Sequence, residues 1–309
     1  MATFKSPLQQ RTNTQIREIL LGFFYLRNAG ATSAPAEQRY RFRCLVGGQR
    51  YRSCWRVRRR CTTRKPLHRS ISYIEKTMYT RRILCLANSK KPPSGRCIAG
   101  KAMAHNQTGE WIRPVSDRPG HEISEDERRY EDGTTAQLLD IVDIHFLKSA
   151  PALHQTENRL IAGDYYWSKA GVANWRQVQG AVDDVPAALW LNGVSTQHGQ
   201  NDKVPESELA GLEDSLKLVA VARLTLNVAL EAGFEGRPGR RRVRAAFDVN
   251  GQPYVLSVTD PVIEREYLAK ADGSYRLRSA ILCISLAEPF YGYAFKVVAA
   301  VITQSRCRP

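Results

Sequence analysis

From residue 78 onward the chain is a succession of short apolar runs separated by turn residues, a pattern that predicts strands rather than helices. Residues 82–88 (RILCLAN) form an apolar run ending in polar side chains, as expected of a buried strand. The loop Lys90-Lys91-Pro92-Pro93-Ser94-Gly95 follows, with two more strands at 96–103 and 110–115 around a turn at 106–109. Residues 119–135 are polar and charged, a loop with one helical turn at 124–130. Residues 138–147 (LLDIVDIHFL) predict a strong strand and 159–167 a fifth. The middle of the chain differs. Short helices are expected at 172–178 and 185–190, the second capped by Asp183 or Asp184 with Pro186 in its first turn, before a polar loop at 192–211.

A second run of strands comes next. Val219, Val221, Leu224, Leu226 and Val228 keep a period of two with one slip, which a bulge would explain. Strands at 241–249 and 253–258 flank Asn250-Gly251, a pair that tolerates the positive φ a type I′ hairpin turn requires. Asp260-Pro261 opens a helix to about residue 268, with Asp as N-cap and Pro in the first turn. Buried strands at 280–286 and 295–302 complete the pattern. Each half thus holds about five strands and a short helix, the makings of a small closed barrel such as an oligonucleotide-binding (OB) fold. SH3-like barrels or one large sandwich fit the same pattern.

Charge changes this picture in one place. Residues 1–77 carry 17 Lys/Arg against 3 Asp/Glu, leaving 29 against 27 of the chain's 46 and 30 for the rest. The net +16 therefore describes the first 77 residues, and a basic composition is no argument for nucleic-acid binding by residues 78–309. The Arg-rich stretch at 39–60 is read either as an arm that grips phosphates or as a segment upstream of a true start at Met78. The abrupt change in composition at Met78 favours the second, a disordered or spurious basic extension. No apolar stretch is long enough to span a membrane, and the run at 19–25 lacks the features of a secretory signal. The seven cysteines contain no CxxC pair, so zinc and thioredoxin-like readings lack their spacing, and without an export signal a reducing cytoplasm is the expected compartment. Cys85 and Cys283 sit inside apolar runs as small core residues.

An ordered series of segments resembles a known family. They are Leu86-Ala87-Asn88-Ser89-Lys90, Gly95-Arg96-Cys97-Ile98-Ala99-Gly100, Trp111-Ile112-Arg113-Pro114-Val115, Thr156-Glu157-Asn158, Ser215-Leu216-Lys217-Leu218, Leu256-Ser257-Val258-Thr259-Asp260-Pro261 and Cys283-Ile284-Ser285-Leu286. Together, from about residue 82 to 302, they resemble a prokaryotic family described as a dual OB-containing domain. The resemblance implies two OB-like barrels in one module and, by analogy of fold, nucleic-acid binding. It implies no catalytic residues. The expected organisation is a first barrel at 78–180, a helical and loop connector at 181–214, a second barrel at 215–303 and a tail at 304–309.

Candidate chemistry lies in a few clusters. Asn88, Ser89, Lys90, Lys91 and Arg96, at a strand end and its loop, can present donors to phosphate; the alternative is a solvated loop. Trp111 can stack a base, with Arg113 on the same strand face reaching a phosphate; alternatively Trp111 packs inward and Arg113 pairs with Asp140 or Asp143. Glu157 and Asp260, one from each half, could meet at a cleft as acid and base or around Mg²⁺. The stronger alternative is that Asp260 caps the helix after it and Glu157 pairs with an arginine. Arg237, Arg240, Arg241, Arg242 and Arg244 are the densest cationic patch of the near-neutral part, either a path for a backbone or a charged sheet edge. The histidines have no metal-ligand spacing, and no cofactor motif is present. The expectation is a mainly β nucleic-acid-binding module for single-stranded or structured RNA or DNA. An enzyme acting on a nucleotide or nucleic acid near Asn88, Arg96, Glu157 and Asp260, and a protein-interaction module, are the alternatives.

Overall fold

The computed structural model describes residues 78–91, 95–105, 107–185, 187–233 and 238–307. The basic extension at 1–77, the loop residues Pro92, Pro93 and Ser94, and Asn106, Pro186 and Arg237 lie outside the described residues. The remainder is mainly β with short helices, in two sheets.

The first sheet contains β1 (Tyr79–Lys91), β2 (Gly95–Ala104), β3 (Gln107–Val115), β4 (Asp140–Ser149), β5 (Asn158–Ile161) and β6 (Ser168–Val172). The long β1 serves two neighbours. Its first half pairs with β4 and its second with β2, so the ring β1-β2-β3-β5-β4 closes. A register shift between Cys85 and Ala87 bends the strand where it changes partner. Gly100 faces this bend, and a Cβ there would stand 2.1 Å from the Leu84 carbonyl oxygen, so only glycine fits.

After the helix α1 (Trp175–Gly180) and β7 (Lys203–Pro205), the connectivity repeats. The second sheet holds β7, β8 (Leu216–Val221), β9 (Leu224–Glu231), β10 (Arg240–Val249), β11 (Gln252–Val258), β12 (Gly273–Leu277), β13 (Ala280–Leu286) and β14 (Tyr293–Ile302), with the helix α2 (Pro261–Leu268) between β11 and β12. β8 pairs with β13 and β9 with β10, which makes β8 and β9 the two halves of one bent strand equivalent to β1. The break at 222–223 is the slip in the period-two pattern. The parallel pairings fall in the same place in both rings, β3 with β5 and β11 with β14. The sequence therefore builds the same five-stranded barrel twice.

The two barrels share a buried apolar seam, and that explains why β1, β13 and β14 read as unbroken apolar runs. Ile83 and Cys85 point into the first barrel, whereas Leu84 and Leu86 point into the seam. Leu282 and Ile284 fill the second barrel while Ile281 and Cys283 meet Leu84 and Leu86 in the seam cluster. A strand covered on both faces has no polar face to show. Cys85 and Cys283 are fully buried, and burial raises both thiol pKa values, that of Cys85 to about 12.

Some local expectations are corrected. The described residues of the segment 185–190 are not helical: Val185 and Leu189 turn their backbone to side chains of the second barrel, Val185 O accepting from Asn250 and Leu189 N donating to the Tyr254 hydroxyl at 2.9 Å. Trp190 has φ +56, which ends any helix. The strand expected at 159–167 is confined to β5, a further strand β6 follows beyond it, and the helix expected from 172 begins only at Trp175, capped by Asn174 in a reciprocal box with Gln177. β12 has no counterpart in the expected pattern.

Two predictions follow from the second barrel. Asn250 and Gly251 adopt φ +51 and +76, and nothing lies within 4 Å of a Cβ at Gly251. Gly251→Val is expected to lower stability by about 1–2 kcal/mol through backbone strain alone, while Gly251→Asn stays near wild type; thermal denaturation of both checks this. Lys296 is 1% exposed, donates to Leu191 O and Asn192 Oδ1, and burial lowers its pKa to about 8. Between about 8 and the ordinary 10.5 the unfolded chain holds more protons than the folded one, so this lysine adds stability as pH rises through that window. Relative to Lys296→Met, the wild type should gain up to ~3 kcal/mol between pH 7.5 and 10.5, measured by urea denaturation.

Candidate anion-binding cleft

In OB barrels the face of strands two and three is the usual oligonucleotide surface. In the first barrel that face belongs to β2 and β3, and it carries Lys101, Trp111 and Arg113. All three are turned into the seam. Lys101 Nζ donates to Asp183 Oδ1 at 2.5 Å and to Ala181 O at 2.7 Å, and Trp111 Nε1 donates to Asp183 Oδ2 at 3.1 Å. Asp183 also accepts from Leu218 N at 2.7 Å, so one carboxylate joins β2, β3 and β8. Arg113 is 3% exposed; its Nη2 pairs with Glu157 Oε1 at 3.1 Å and donates to Ser215 Oγ at 2.8 Å and Ser285 Oγ at 3.3 Å. Ser215 donates in turn to Glu157.

Trp111 and Arg113 do share one strand face, but the second barrel covers it. Arg113 pairs with Glu157 rather than with Asp140 or Asp143, because the seam places a carboxylate of β5's approach beside β3. Glu157 and Asp260 each have an arginine partner, and of the two only Asp260 lines the cleft described below. Asp260 Oδ1 caps α2 through Val262 N at 3.0 Å and Ile263 N at 3.3 Å, and its Oδ2 accepts from Arg306 Nη1 at 2.6 Å and Val301 N at 3.1 Å.

The cationic patch on β10 is mostly committed to its own barrel. Arg241 reaches the C-terminal end of α2, donating to Leu268 O, Lys270 O and Asp272, and Arg242 and Arg244 close on Glu231. Arg240 is exposed. Lys90 and Lys91 pair with Glu264 and Glu288, and Ser89 is buried. None of these lines the cleft described next.

That cleft, about 190 Å³, opens between the barrels. The first barrel contributes Asn88 from the end of β1, Arg96 from the start of β2, and Arg128, Thr135, Gln137 and Leu138 from the β3–β4 connector. The second contributes Asp260, Pro261, Val262 and Arg265 from α2, Ala299 and Ala300 from β14, and Arg306 from the final turn. Four guanidinium groups thus face one carboxylate, and that carboxylate is spent on Arg306 and the helix cap.

Arg128 is the least compensated member. It is 8% exposed, its Nε is buried with no hydrogen-bond partner, and among the described residues it forms no ion pair. Burial and the neighbouring charge of Arg96 push its pKa down, with Glu125 acting weakly the other way. The connector holds it there by backbone bonds: Arg128 N donates to Ser124 O at 3.4 Å and Ala136 N to Arg128 O at 3.1 Å. Asn88 Nδ2 donates to Ala136 O at 2.8 Å and leaves Oδ1 buried without a partner. A buried cation without an ion pair, with the half-buried Arg96 and the exposed Arg265 lining the same cleft, suits an anion.

Of the residues singled out in the sequence, Asn88, Arg96 and Asp260 meet here. Arg128, Arg265 and Arg306 were missed, since each lies in a mixed polar segment and no spacing marks it. Among the described residues no three His, Cys, Asp or Glu side chains gather as a metal site, and no helix is long and apolar enough to cross a membrane.

The seam pair is open to test. Arg113→Ala leaves Glu157 buried without its cation, and a loss of about 3–5 kcal/mol in stability is expected by chemical denaturation. An unchanged denaturation midpoint would mean that Arg113 does not join the barrels.

No curated protein and no solved structure matches the chain. The model of the dual OB-containing domain family matches residues 81–301, the span in which the five-stranded ring is built twice, and the chain belongs to that family.

Proposed function

We propose that this protein is a nucleic-acid-binding module that holds single-stranded RNA or DNA by its phosphates in the inter-barrel cleft. The observation that carries this reading is Arg128, a buried side chain whose Nε has no hydrogen-bond partner and which forms no ion pair among the described residues, lining the cleft with Arg96, Arg265 and Arg306. Polyphosphate strands supply the missing negative charge, and arginine forks match phosphate oxygens.

A single strand suits the surroundings better than a duplex. The cleft is narrow, and single strands leave bases free to stack on aromatic faces. Phe290 and Tyr291, in the loop between β13 and β14, expose 57% and 60% of their surface, and Lys91–Glu288 ties that loop to the end of β1.

Titration of labelled single-stranded DNA and RNA with the full chain, followed by anisotropy at low and moderate salt, tests the proposal. Arg96→Ala with Arg265→Ala should weaken binding and flatten the dependence of log K on log salt by roughly 0.7 per arginine lost. The basic residues 1–77 are common to both proteins, so the difference reports on the cleft. Identical affinity and slope in the double variant would remove the cleft from the binding surface.

A further inference from the structure

The arginine cleft has a second compartment. A polar cavity of about 490 Å³ adjoins it, lined by Glu125, Tyr130, Gly133, Thr134, Asp140 and Lys169, and it shares Thr135 and Gln137 as walls. The electrostatic character of the two compartments is opposite. The smaller offers four arginines to one committed carboxylate, whereas the larger offers Glu125 and Asp140 to one lysine. The larger is also rigidly built: Asp140, 2% exposed, accepts from Tyr130 Oη at 2.7 Å and Gln137 N at 2.9 Å and pairs with Lys169 Nζ at 2.7 Å.

This polarity bears on what kind of phosphate fits. A continuing phosphodiester chain would carry negative charge from the arginines into the second compartment, where the exposed Glu125 repels it and Lys169 is already committed to Asp140. A terminal phosphate ends the run of charge. Its phosphomonoester dianion matches the excess of cations better than a diester monoanion does. The sugar that bears it is uncharged and hydroxylated, and Glu125 and the Thr135 hydroxyl can accept from or donate to such hydroxyls.

Resting on the nucleic-acid reading above, we infer that the double cavity is a receptor for a terminal phosphomonoester on a sugar, with the phosphate among Arg96, Arg128, Arg265 and Arg306 and the sugar in the Tyr130–Asp140 compartment. Phosphorylated strand ends and free nucleoside monophosphates share this chemistry. The unpaired burial of Arg128 then has a reason: the folded protein carries a cation whose counter-ion arrives with the ligand, at the expense of stability in its absence.

The test uses the full chain and labelled oligonucleotides of one sequence with a 5′-phosphate, with hydroxyl ends, and circularised, together with adenosine monophosphate as competitor. The 5′-phosphorylated strand should bind ~10-fold or more tightly than the other two, the size expected of charge-assisted bonds made to the extra charge. Arg128→Met should abolish that preference while its melting temperature stays equal to or above that of the wild type. Arg265→Ala, an exposed position on α2, should weaken the preference and guards against a folding defect in the first variant. Competition by adenosine monophosphate as strong as that of the phosphorylated strand identifies a free nucleotide as sufficient; a much weaker effect identifies the strand end. Equal affinity for all three oligonucleotides, lost in Arg128→Met, would overturn the terminal-phosphate inference and leave the strand-binding proposal standing. No dependence of any probe on Arg128 or Arg265 would overturn both.

Discussion

Everything in this protein depends on the decision to spend the first barrel's strand-two and strand-three face on the second barrel. Lys101, Trp111 and Arg113 are the residue types that would serve an oligonucleotide, yet here they are anchored to Asp183, Glu157, Ser215 and Ser285. Buried charges are costly unless paired and hydrogen-bonded, and these are both. Around them the apolar side chains of β1, β8, β13 and β14 form one continuous cluster. Since the same strands also fill the barrel interiors, the two barrels cannot separate without exposing apolar surface and stranding Arg113 and Glu157.

Closing that seam creates the cleft at its edge. α2 arrives with its N-terminal end beside the end of β1, and Lys90 N donates to Thr259 O at 3.1 Å across the junction. Asp260 fixes the geometry by serving helix, strand and C-terminal turn at once, through Val262 N, Val301 N and Arg306. The contrast between the two buried arginines is one of charge pairing. Arg113 is ion-paired to Glu157 at the seam, whereas Arg128 forms no ion pair among the described residues, although the Nε of each lacks a hydrogen-bond partner. A charge without a partner weakens the fold, so its placement in a cavity rather than in a packed core points to binding.

The legibility of the fold in the sequence varied with the range of the interactions involved. Asn250-Gly251 and Asp260-Pro261 were readable because a turn and a helix cap are made within a few residues, by φ preference and by one side chain reaching nearby amides. Residues 185–190 were misread as a helix because Asn250 and Tyr254, more than 60 residues away, take their backbone groups. The cleft was partly legible: polar residues at a strand end drew attention to Asn88 and Arg96. Arg128, Arg265 and Arg306 carried no such mark, being separated by long stretches of chain.

What the sequence determined by itself was local: most apolar runs of strand length, the hairpin turn, the helix cap, and the near-neutral charge of residues 78–309. Hydrophobic periodicity and backbone preference act locally, so these survive without knowledge of the partner surfaces. Only the tertiary structure decided which face of each strand met its own barrel and which met the other, and therefore which cations were paired and which were left free. Strands buried on both faces look alike whichever way they point, and an arginine's role is set by the carboxylates that distant segments bring to it. That is why Arg113 became a structural tie and Arg128 a candidate ligand for phosphate.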